Sequence, residues 1–270
     1  MVVARAVSER DTIEHRTPLQ EFLLEKSPRD ITKLCLSTEP SDLALAALNS
    51  TGEQRVNALS LWEKLDPINA VPTLLRAADS AKAGNLEDAW QITKAALARP
   101  KFEDYEIANR LEQAKLVAAN GTVSLRDVYN DIAGYSASLG KIKSAMPELI
   151  SMGELMFSEL QHPNDVRETD KDKWVVLLGL ANKASDTSTM WARTKALEYE
   201  RQILDRLPNQ FESVLDRDRR DYRVALTQDL LEIQPLLGEY ARLWEGPEHE
   251  FLAYLDRVSR LGEINALRQR

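Results

Sequence analysis

Few residues in this 270-residue chain have both the type and the spacing that chemistry needs. The three histidines, His15, His162 and His249, lie far apart, and none belongs to a paired-histidine metal motif. Glu159 and His162 have the Glu-x-x-His spacing that di-iron helical bundles use. That chemistry also needs a second such motif and two further carboxylates. His162 has no counterpart and precedes Pro163, so no metal is expected there. Glu248, His249 and Glu250 read as the acidic first turn of a helix, where carboxylates complement the positive end of the helix dipole. The pairs Asp170/Asp172 and Asp216/Asp218 lack the glycine and the bidentate glutamate of a calcium loop. They are expected to be solvated charge.

Asp216 to Arg223, DRDRRDYR, holds four arginines and three aspartates. Charge so interleaved neutralises itself, and intrahelical ion pairs are the expectation. Gly134 to Gly140, GYSASLG, lacks the lysine and the preceding strand of a phosphate-binding loop. Cys35 is the one cysteine. Among the apolar residues of ITKLCLS it reads as a buried, inert thiol. No catalytic, cofactor-binding or metal-ligating residue is therefore assigned, and no cofactor is expected. Trp62, Trp90, Trp174, Trp191 and Trp244 lie beside apolar residues on expected helices and are assigned to the core.

The elements that would position any site are helical. Hydrophobic residues make up 43% of the chain and charged residues 29%, a globular balance. Alanine and leucine are abundant, aromatics are only 6%, and runs of strand-forming residues are almost lacking. The net charge of −8 argues against nucleic acid as a partner and leaves a basic protein or peptide open. No apolar run reaches the ~18 residues of a membrane span. The start of the chain lacks the apolar core of a signal peptide. With a single thiol the chain suits the cytoplasm, although a trimmed extracytoplasmic region would read the same way.

Helices are expected from Pro18 to Lys26, then from Pro28 with Ser27 as cap, and from Ser41 with Leu43, Ala46 and Ala47 inward. The next carries Val56, Leu59 and Trp62 and stops at Asp66-Pro67. Longer helices follow from Tyr105 and from Ser124, the latter turning Leu125, Val128 and Ile132 inward. Another carries Leu149, Met152, Leu155, Met156 and Leu160. His162 to Lys173 is the clearest loop. Ala196, Tyr199, Ile203 and Leu207 form one stripe. Tyr222, Leu226, Leu230, Ile233, Leu237, Tyr240 and Trp244 form another, in a helix that Pro235 should bend or split. The last helix turns Phe251, Leu255, Val258 and Leu261 inward.

Between Leu43 and Pro100 the pattern repeats. Gly52 and Gly84 are 32 residues apart, and Pro67 and Pro100 are 33 apart. Ala58 and Ala89 are separated by 31. Each unit reads as helix, glycine-containing elbow, helix, proline stop. Small side chains around the elbow let two antiparallel helices lie close. Pro72 to Pro100, with Ala77, Gly84, Ala89, Ala96 and Pro100, resembles a tetratricopeptide repeat, whose period is 34 residues. The tryptophan and the glycine–tyrosine pair of that family are replaced by Thr73, Ala77 and Ser80. The resemblance implies an all-α fold in which residues 1–120 form helical hairpins that continue into a longer-helix region, 121–270. It also implies a non-catalytic scaffold that holds a peptide or helix of another protein in a concave groove. The alternative is an all-α enzyme or small-ligand binder with an interhelical pocket in the second half. Self-association through an apolar face is a third course.

Overall fold

A computed structural model describes residues 28–120, 124–134, 143–160, 167, 170–187, 189–215 and 217–269. The expected helix from Pro18 to Lys26, His15 and His162 lie outside them. Among the described residues the chain forms twelve α-helices, one 3₁₀ helix and no strand, so the fold is all-α. In order these are α1 (Pro28–Leu34), α2 (Pro40–Asn49), α3 (Gly52–Leu65), α4 (Val71–Lys82), α5 (Leu86–Leu97), α6 (Glu106–Asn120) and α7 (Leu125–Gly134). Then come α8 (Met146–Glu159), α9 (Asp170–Ser185), α10 (Met190–Arg206), the 3₁₀ helix (Asn209–Val214), α11 (Arg219–Glu245) and α12 (Glu248–Arg268).

The elbow between α4 and α5 shows why this sequence turns where it does. Gly84 takes φ +82, the left-handed region open to glycine. Its N–H donates to the Ala81 carbonyl at 3.0 Å, and the Asn85 N–H donates to the Ser80 carbonyl at 2.9 Å. These two bonds close a Schellman motif and satisfy carbonyls that the helix end would leave open. Ala77 and Ala89, on either side of the elbow, are both fully buried. Gly52 serves differently. It opens α3 at φ +58, after two extended residues, so the two glycines are not structural equivalents.

Two loops pair instead. The Ala70 N–H donates to the Lys101 carbonyl at 2.8 Å, and the Lys101 N–H to the Ile68 carbonyl at 3.1 Å. The segments after Pro67 and Pro100 thus run side by side. Asn69, fully buried, cements them. Its amide nitrogen donates to Asp66 at 3.0 Å and to the Glu103 carbonyl at 2.8 Å, while its oxygen accepts the N–H groups of Val71 and Glu103.

The main apolar core draws on α2–α5 and on α8–α10. Helix α8 lies along α4, α9 lies along α5, and α10 pairs with α9. A second core joins α6, α7, the C-terminal half of α11 and α12 around Tyr129, Phe251 and Tyr254. Each core takes helices from both sides of residue 120. Helix α11 serves two neighbours. Leu226 and Ile233 pack with Leu197 and Leu204 of α10, whereas Leu236 and Leu243 enter the second core. Pro235 stands between the two sets, and the helix runs through it unsplit.

Several expectations are corrected. Asp170 to Lys173 form the first turn of α9 rather than loop. Helix α2 begins at Pro40 with Glu39 as cap, because proline pre-sets the first helical position and Ser41 falls inside it. Val56, Leu155 and Leu237 face solvent, since among the described residues no helix covers those sides of α3, α8 and α11. Trp191, assigned to the core, is 44% exposed. Ser124 does cap α7, its hydroxyl accepting the Asp127 N–H at 3.2 Å. The stripe Ala196, Tyr199, Ile203 and Leu207 is buried throughout.

Candidate functional site

A cleft of about 370 Å³ opens between α9, α10, α11 and the end of the 3₁₀ helix. Leu178, Leu197 and Leu226 supply its apolar surface, and Arg193, Glu200, Tyr222 and Asp229 its polar groups. The helices set these positions. Arg193, Leu197 and Glu200 follow one another at helical spacing on α10, and Tyr222, Leu226 and Asp229 do so on α11. Within the lining the Tyr222 hydroxyl donates to the buried Glu200 carboxylate. The Arg217 guanidinium lies over the Tyr222 ring, 5.6 Å from its centre. Farther along, Arg223 pairs with Asp205 at 2.9 Å. The side chains of Arg193 and Asp229 make no hydrogen bond or ion pair with any described residue.

Two charged clusters lie elsewhere. Arg55 is a hub between hairpins, with Nε 2.8 Å from Asp79, Nη2 2.8 Å from Glu148 and Nη1 donating to the Ala47 carbonyl at 2.8 Å. Burial works against the Glu148 charge, but Lys82 at 2.7 Å and Arg55 hold its carboxyl below the usual range. An open groove of about 470 Å³ runs beside this hub, edged by Asn49, Val56, Asp79 and Lys82.

The second cluster lies inside the second core. Arg110 pairs with Glu106 and stands 3.6 Å from Glu263. The Glu263 carboxylate accepts the Tyr129 hydroxyl at 3.2 Å and the Met190 N–H at 3.0 Å. Gly262, at φ +76 and ψ 166, breaks the helical path of α12 just before Glu263. Burial pushes the Glu106 carboxyl up to about 7, against the pull of Arg110 and with Asp104 and Glu263 adding to the rise.

The residues considered from sequence go separate ways. Glu159 is engaged by Trp90 Nε1 at 2.7 Å and Lys173 Nζ at 2.6 Å. Glu248 and His249 are exposed. Asp172 lies 3.7 Å from Lys94, with both side chains largely exposed. Arg219 and Arg223 reach Glu212 and Asp205 on preceding elements rather than forming the expected intrahelical pairs. Cys35 is buried and its thiol is pushed up by that burial. Among the described residues, no group of three or more His, Cys, Asp or Glu is placed to hold a metal ion. No helix of the described residues is long and apolar enough to cross a membrane. Arg193, Asp229 and Arg55 carry no sequence signature, because lone charges on helices are ordinary surface features.

No family model matches the sequence, and no curated protein and no solved structure is similar to it.

Proposed function

We propose that this protein is a non-catalytic interaction scaffold of tetratricopeptide-like construction, holding a peptide or helix of a partner protein. The observation that carries this reading is the pairing of the Asn69 and Lys101 segments. They follow the proline stops of consecutive hairpins, at nearly equivalent positions. Loops that pair in this way hold neighbouring hairpins at a set offset. Stacking at a set offset is how helical-repeat proteins form extended binding surfaces.

The groove beside Arg55 suits such a partner. Val56 is 57% exposed at its edge, and Asp79 offers a part-exposed carboxylate to a basic side chain. The test is affinity capture from the native source, followed by binding of the purified candidate to the intact chain and to Val56→Asp. Val56 faces solvent, so the substitution should leave the helix content unchanged. Binding to the intact chain that falls at least tenfold in the variant would support the reading. Unchanged binding in the variant would remove this groove from consideration. Recovery of nothing but further copies of the chain, with a dimer mass in light scattering, would favour self-association instead.

A further inference from the structure

We propose that the cleft between α9, α10 and α11 binds a small dipolar molecule with one carboxylate, one ammonium group and an apolar body. This goes beyond the scaffold reading and does not depend on it. Helices α10 and α11 pack against each other and follow one another in the chain across the 3₁₀ helix. Their contact is closed at two levels by polar pairs, Tyr222 with Glu200 and Arg223 with Asp205 at 2.9 Å. Arg193 and Asp229 line the cleft from opposite helices with opposite charges, yet they do not pair with each other. Both are only partly exposed.

Arg193 and Asp229 thus border one cleft from two helices, with no ion pair between them. A guanidinium presents a fork of donors that fits a carboxylate in bidentate fashion. The Asp229 carboxylate accepts from an ammonium group. Leu178, Leu197 and Leu226 offer apolar surface to an aliphatic side chain carried beside the two charged groups. A volume of about 370 Å³ lies within the range of small-molecule sites. An amino acid with an aliphatic side chain and a short aliphatic peptide share this chemistry.

Isothermal calorimetry on the full chain tests the assignment with four probes: leucine, the dipeptide leucyl-leucine, isocaproate, which lacks the ammonium group, and isoamylamine, which lacks the carboxylate. At least one of the two zwitterions should bind about tenfold or more tightly than either half-charged analogue, the worth of one charged hydrogen-bonding contact. Binding of leucine alone would identify a free amino acid as the ligand, and binding of the dipeptide alone a peptide. Arg193→Gln and Asp229→Asn should each weaken the zwitterion about tenfold or more, with the helical circular dichroism unchanged. Should Arg193→Gln disturb the fold, Arg193→Lys keeps the charge without the fork and should show a smaller loss. The proposal is overturned if neither zwitterion binds, if isocaproate or isoamylamine binds as well as the zwitterions, or if folded variants bind as the parent does.

Discussion

The Tyr199 hydroxyl lies against the backbone of Gly153, so close that a Cβ on Gly153 would stand 2.1 Å from that oxygen and 2.7 Å from the ring carbon Cζ. Helices α8 and α10 therefore meet at a distance that only glycine permits. The hydroxyl is buried and makes no hydrogen bond, so the contact rests on packing. Gly153→Ala should destabilise the protein by about 1–3 kcal/mol, the usual cost of overfilling a packed site. Tyr199→Leu in the same chain should recover part of that loss. Chemical denaturation of the two variants checks this, and an alanine variant as stable as the parent would show that the ring moves aside freely.

The elbow at Gly84 makes a second case. Its left-handed φ puts a Cβ into an unfavourable conformation even though no atom lies within 4 Å of where that Cβ would be. Gly84→Ala should cost about 1–2 kcal/mol through backbone conformation alone. Gly84→Asn should cost less, since asparagine tolerates this region. Equal midpoints for the parent and the alanine variant would contradict the turn geometry.

Ala89 tests the hairpin contact that the turn creates. It is fully buried, beside Trp90 in the main core. Ala89→Glu forces a carboxylate into that contact and should unfold the hairpin region, with a large drop in helical ellipticity. Ala89→Ser, smaller and able to bond within its helix, should keep the fold. A glutamate variant that melts as the parent does would mean that α4 and α5 separate easily.

Arg55 holds two acidic partners and a helix-terminal carbonyl. Arg55→Met removes these bonds and leaves Glu148 with Lys82 at 2.7 Å, so it should cost about 1–3 kcal/mol, the range for hydrogen bonds to charged groups. With Arg55 already lost, adding Glu148→Gln should cost less than Glu148→Gln does in the parent. A purely additive double variant, measured in a mutant cycle, would show that the two groups do not interact.

The Glu106 carboxyl makes stability depend on pH. Its affinity for a proton is raised on folding, from the ordinary value of 4.5 to about 7. The folded state therefore holds this proton more tightly than the unfolded state. The resulting stabilisation is fully present below about 4.5 and is lost as pH rises through about 7. Denaturation midpoints should fall across that window, and Glu106→Gln should flatten the slope there. A parent whose stability rises across the window, with no change in the Gln variant, would assign the buried charge to another group.

Local chemistry made the helices legible. The spacing of apolar residues, Gly84 in its turn, Ser124 as cap and the stops at Pro67 and Gly246 act within a few residues of themselves. Their effect does not wait for the rest of the chain. The same locality explains the misassigned positions. Val56, Leu155 and Leu237 keep helical period and look inward, but period says only which residues share a face. Whether another helix covers that face depends on packing, and for these three none among the described residues does.

The charges that matter were not legible. Arg55 meets Glu148 across 93 positions, and Tyr129 meets Glu263 across 134. Nothing in either neighbourhood distinguishes these residues from solvated ones. Gly262, which breaks α12 and precedes Glu263, looks from sequence like an ordinary weak point in a helix.

By itself the sequence determined an all-helical chain, the places where most helices begin and end, and the small-residue elbow at Gly84, because backbone conformation and capping are short-range. Only the tertiary structure decided that α8 and α9 lie along α4 and α5, that α11 shifts between two cores at Pro235, and that Arg193 and Asp229 face one cleft. Those outcomes depend on which apolar faces bury one another, and burial is a property of the whole packed chain rather than of any segment.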